Sequence, residues 1–239
     1  MYTVTHKLKM GVLNMKTKHT KENDAPLYTK GEEIFNMVSH IVGGALAIVS
    51  ITLCVIMAAI HGNVWGVVSG AIYGGSMLIL YTMSSLYHGI THKTAKKVFR
   101  IIDHCSIFFL IAGTYTPYML SGLRPHNPGL AWTIFGIIWA AAALGIVLNA
   151  VNMKKFKVFS MICYIAMGWC VATVTGPMIK HFNPNCLMFL LLGGISYTVG
   201  AVLYGLSKKK NIRYMHSVFH LFVLAGSILH FFSILFYLM

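Results

Sequence analysis

Apolar residues in this chain come in long runs rather than in the half-apolar periodicities of soluble helices and strands. Seven such runs, at residues 32–60, 65–88, 100–121, 130–151, 158–178, 187–206 and 214–238, are separated by short polar connections. Each reaches about 20 residues or more, the length an α-helix needs to cross about 30 Å of hydrocarbon. The expected fold is therefore all-α integral membrane, a seven-transmembrane-helix bundle. The connections are plain breaks: HGN after the first run, GLRPHNPG after the third, and the basic stretches NMKKFK and SKKKNIR after the fourth and sixth. Residues 1–31 have no hydrophobic periodicity and read as a flexible basic cytoplasmic tail, leaving 32–239 as one membrane domain. Within the second run, Gly66, Gly70 and Gly74 form a small-residue stripe that lets a neighbouring helix approach closely. Pro117 predicts a kink near the end of the third.

Charge then orients the bundle. The chain carries 19 Lys and Arg against 5 Asp and Glu among 239 residues. In a soluble protein a net charge of +14 would point to nucleic acid, but here only 10% of residues are charged and the basic ones sit between apolar runs. Six lie in the N-terminal tail, four after the second run, three after the fourth and four after the sixth, which leaves only Arg124 and Lys180 for the other side. The positive-inside rule places the N-terminus in the cytoplasm and the C-terminus outside. The expected partners are membrane lipids, with no nucleic acid, and the expected location is a bacterial plasma membrane, multi-pass. The first thirty residues have neither the apolar core nor the cleavage site of a secretory signal. Cys54, Cys105, Cys163, Cys170 and Cys186 show no CxxC spacing and read as small apolar residues rather than a disulfide framework.

Candidate chemistry lies in the polar residues inside the apolar runs, where ionisable groups are costly. His216 and His220 are four apart, so a helix stacks them on one face, the spacing with which a helix offers two imidazoles to a metal. The second run ends at His88, with Ser84 one turn before it on the same face, and the third begins near Asp103. With the topology above, all of these lie at the cytoplasmic end. Three imidazoles leave a fourth tetrahedral position on Zn²⁺ open for water, the arrangement of a catalytic site. Asp103 is then the candidate base and Ser84 the candidate donor to the water or to an oxyanion, with a lipid amide or ester as the electrophile. His230, fourteen residues beyond His216, lies about 21 Å deeper and reads as an interior hydrogen-bonding residue. His104 reads as structural, His92, His126 and His181 as loop residues, and Glu33, which shares a face with Asn36 and His40, as a helix-start residue.

The motifs E-x-x-N-x-x-S-H at Glu33, Asn36, Ser39 and His40, SSLYH ending at His88, RIIDHCSIFFLIAGTYTPY around Asp103, and HSVFHLFVLAGSILHF from His216 together resemble the hemolysin III family, within the progestin and adipoQ receptor superfamily. The resemblance implies seven transmembrane helices with a cytoplasmic N-terminus, and zinc held at the positions of His88, His216 and His220. It also implies a serine at Ser84 and an aspartate at Asp103 that approaches zinc through water. Similarity to alkaline ceramidases implies lipid amide hydrolysis as the activity. Three functions follow as expectations: a zinc-dependent lipid hydrolase tied to membrane-lipid homeostasis, a cytolytic or pore-forming membrane protein, and a non-enzymatic membrane-state sensor in which zinc ties helices together.

Overall fold

A computed structural model describes residues 28–210 and 212–239, leaving aside the side chains of 207–210. The tail expected over 1–31 falls, as far as residue 27, outside the described residues. The unit Glu32–Met239 is helical, with no strand among its described residues. In order the described residues form α1 (Lys30–Ile60), α2 (Val64–Gly89), α3 (Lys93–Pro117) continued by a π-helical turn (Tyr118–Leu123), and α4 (Pro128–Trp169). A 3₁₀ turn (Cys170–Val174), α5 (Thr175–His181), α6 (Pro184–Lys210) and α7 (Met215–Tyr237) complete the series. Among the described residues, six helical stretches are long and apolar enough to cross a membrane.

The helices are packed inside out relative to a soluble bundle. Helix α1 turns Asn36, His40, Gly43, Ala47, Ser50 and Cys54 inward and leaves Ile34, Val38, Ile41, Val42, Ile48 and Val49 exposed. Small and polar residues hold the helices together, and the aliphatic surface is what a lipid solvent favours. The glycine stripe brings α2 against α1 as expected. A Cβ on Gly74 would meet the Ile51 backbone of α1, and one on Gly70 would meet Cys54. Pro117 lies in the helix interior and the π turn follows it at once, closed by Arg124 N–H donating to the Met119 carbonyl at 2.8 Å.

The 54-residue stretch Pro128–His181 would measure about 80 Å as a straight rod. It is not straight. Asn152 has non-helical φ −156° and ψ 82°, and its side chain caps the following turn by accepting from Lys155 N–H at 3.0 Å. Ser160 donates to Asn149 Oδ1 at 2.7 Å, although eleven residues on a continuous helix lie about 16 Å apart. The chain therefore doubles back at Asn152. The first arm runs antiparallel to α3, pairing Trp139 with Thr116 and Cys105 with Ile146; the second runs parallel to it, pairing Tyr164 with His104 and Tyr115 with Gly168.

Helix α3 begins at Lys93, seven residues before the expected start, because His92 caps it by accepting from Ala95 N–H and the basic stretch continues the helix. Asp103 consequently sits about three turns inside α3 rather than in its first turn. Helices α1 and α7 run parallel, held by Ser217 donating to Asn36 Oδ1 at 2.7 Å, and α2 runs antiparallel to both. The starts of α1 and α7 and the end of α2 therefore share one end of the bundle.

Candidate metal centre

That shared end gathers imidazoles. His88 closes α2, while His216 and His220 occupy the first two turns of α7. The i, i+4 spacing puts the two α7 rings on the face turned toward α2. His216 Nε2 lies 3.3 Å from His88 Nε2 and 3.1 Å from His220 Nε2. Among the described residues, these three form the group of metal-capable side chains whose donor atoms converge within 4.8 Å of one another. His88 and His220 are buried and His216 is partly so.

Each outer ring is oriented from behind by α1. Glu33 Oε2 lies 2.6 Å from His88 Nδ1, and a carboxylate there accepts, which makes Nδ1 the protonated nitrogen and leaves a lone pair on Nε2. His220 Nδ1 faces Ser39 Oγ at 3.5 Å, and His40 stacks on the ring with centroids 3.7 Å apart. Lone pairs directed at one another across about 3 Å repel unless a proton or a cation lies between them. Three nitrogens bound at about 2.0–2.1 Å in tetrahedral geometry stand roughly 3.3 Å apart, which matches both separations. The donor set fits a divalent ion held by three imidazoles.

Asp103 and Ser84 are also brought together. Ser84 is 1% exposed and its hydroxyl faces the Asp103 carboxyl across the α2–α3 contact. Ser84 Oγ completes no hydrogen bond among the described residues, so this buried donor is available to another acceptor. Asp103 is not one of the converging donors. His104, the neighbour read as structural, bonds its own helix through the Arg100 carbonyl at 2.9 Å.

The deeper polar residues form a separate interior network. Tyr73 and Tyr81 both reach Ser227 of α7, at its carbonyl (2.9 Å) and hydroxyl (2.7 Å), and Tyr197 reaches the same hydroxyl at 2.9 Å. His230 pairs with Tyr118 at 3.4 Å, about 15 Å along α7 from His220, in keeping with an interior role. His126 and His181 stack on each other at the opposite end, 4.2 Å between centroids.

Sequence reasoning placed the three imidazoles but underrated Glu33. Its first-turn position reads as that of a helix-start residue. The available signal was the shared face of Glu33, Asn36 and His40, since a polar face on a helix otherwise clad in aliphatic residues must meet something polar.

The haemolysin-III related family matches residues 28–231. The chain is 40% identical over 208 residues to the protein named Hemolysin-3 of Bacillus cereus, covering 87% of this chain and 92% of that one. It is 29% identical over 223 residues to the monocyte to macrophage differentiation factor of Homo sapiens, covering 91% and 84%. It is 23% identical over 186 residues to the adiponectin receptor protein of Drosophila melanogaster, covering 70% and 42%.

Proposed function

The chain belongs to the haemolysin-III related family of the progestin and adipoQ receptor superfamily, and from this multi-pass cell-membrane protein we propose a zinc-dependent hydrolase of a lipid amide or ester. The observation that carries the reading is the convergence of three imidazole Nε2 atoms at 3.1 and 3.3 Å beside a buried Ser84–Asp103 pair. His88, His216 and His220 would hold Zn²⁺. The ion supplies Lewis acidity that makes a water molecule nucleophilic near neutral pH. Asp103 accepts the proton of the attacking water at its carboxylate and passes it to the leaving amine or alcohol. Ser84 donates its hydroxyl to the oxyanion that develops on the carbonyl. Glu33 holds His88 in the tautomer that presents Nε2.

The doubling back at Asn152 supports seven crossings, the two arms of α4 counting separately. Seven crossings and the skew of basic residues support a cytoplasmic N-terminus and an external C-terminus, with the metal site near the cytoplasmic leaflet. An electrophile in that position comes from the membrane, and its turnover ties the protein to membrane-lipid homeostasis. The test is release of fatty acid from N-acyl and O-acyl lipids by protein reconstituted in bicelles. Zinc-dependent release that disappears in Asp103→Asn supports the reading. Release of no fatty acid from either lipid class by zinc-loaded protein removes it.

The name of the Bacillus cereus relative favours a second reading, a cytolytic membrane protein. Dye leakage from liposomes on addition of purified protein, independent of Asp103, is its distinguishing result.

A further inference from the structure

Behind the Glu33–His88 hydrogen bond sits a cation outside the group of converging imidazoles. Lys96, in the first turn of α3, places Nζ 3.0 Å from Glu33 Oε1 and donates to the carbonyls of Tyr87 (2.9 Å), Ile90 (3.2 Å) and His88 (3.4 Å). The same ammonium lies 5.1 Å from the Tyr87 ring centroid. The Glu33 carboxylate thus bridges, one oxygen on the ammonium and the other on the imidazole.

We propose that Lys96 is a positioning residue for the metal site, holding Glu33 against His88 and so setting the affinity of the three imidazoles for the ion; this rests on the metal-site reading above. The physical reason is local charge. Carbonyls at the end of a helix lack intrahelical donors and carry the negative end of its dipole. The Glu33 carboxylate approaches that end of α2, where the two negative groups repel unless a cation lies between them. Lys96 lies there, with its three N–H donors shared among three carbonyls and the carboxylate. Its removal leaves Glu33 facing unscreened carbonyls, and the carboxylate moves off His88. His88 Nδ1 then loses its acceptor, and the ring is free to adopt the tautomer that protonates Nε2, the atom aimed at the cluster. The three elements are joined by this one side chain: α1 through Glu33, α2 through its last carbonyls, and α3 through its own backbone.

The experiment is a chelator-competition titration with Zn²⁺ on full-length protein in detergent, comparing wild type, Lys96→Met, Lys96→Arg and the exposed neighbour Lys97→Met. A second readout is the ¹⁵N spectrum of His88 in metal-free protein, which reports its tautomer. Lys96→Met weakens Zn²⁺ binding roughly 10-fold, the low end of what loss of a supporting partner costs. It also raises the Nε2–H tautomer of His88, while Lys96→Arg restores both and Lys97→Met changes neither. A merely structural helix cap would lower thermal stability and leave affinity and tautomer unchanged; that result beside a metal-binding wild type overturns this inference alone. A wild type that binds no Zn²⁺ overturns the metal-site reading and this inference with it.

Discussion

Glu33 Oε2 and His88 Nδ1 are 2.6 Å apart, a bond that joins the first turn of α1 to the last turn of α2 across 55 residues of sequence. It fixes the direction in which His88 presents its other nitrogen. The nitrogen so presented meets those of His216 and His220, and the cluster is therefore built by three helices, though only two supply its imidazoles.

The carboxylate is predicted to act on affinity rather than on assembly. Glu33→Gln keeps an acceptor near His88 but loses the charge, and Zn²⁺ binding weakens about 10- to 100-fold. Competition titration measures it; affinity within experimental error of wild type would show that the bond is not coupled to the site.

Ser84 and Asp103 are predicted to separate chemistry from binding. Asp103→Asn and Ser84→Ala retain Zn²⁺ because neither side chain is among the converging donors. Both lose fatty-acid release, Ser84→Ala by about 100-fold if its hydroxyl stabilises an oxyanion. Metal content and turnover on the same preparations decide it, and loss of metal in Asp103→Asn would make Asp103 a ligand.

Close approach of α1 and α2 predicts a packing cost at Gly74. A Cβ there would lie 2.9 Å from the Ile51 backbone nitrogen, so a whole helix must shift rather than one side chain. Gly74→Ala should destabilise the bundle by about 1–3 kcal/mol. Gly75→Ala, with open space around its Cβ position, serves as the control. Equal thermal stability of the two variants would contradict the packing.

Much of this was legible from the chain because lipid imposes simple rules. Long apolar runs had to be helices, and reading the charged connections as one-sided put the ends of the runs carrying His88 and His216 at one end of the bundle, where their imidazoles meet. What stayed hidden depended on contacts between helices. Lys96 reads as one more topological charge, and only folding shows it seated on α2 carbonyls against Glu33. The start of α3 at Lys93 was missed because a capped basic turn outside the hydrocarbon has no apolar signal. The turn expected over NMKKFK is compressed to Asn152, since a single residue out of helical geometry, capped by its own side chain, suffices to reverse the chain.

The reversal carries a topological prediction. Reporters fused after Met239 and within the GLRPHNPG loop should map outside the cell, and one placed between Gly89 and Lys93 inside. A cytoplasmic signal at the C-terminus would reduce the crossings to an even number and contradict the count.

The central claim, a resident ion held by three imidazoles, is tested most directly by metal content. Detergent-purified protein, prepared without chelating resin, is compared by inductively coupled plasma mass spectrometry with the His88→Ala/His216→Ala double variant. One zinc per chain in the wild type and none in the double variant, with both eluting as folded bundles, is the predicted result. Wild-type protein that carries no zinc and takes up none on addition of the ion would contradict it.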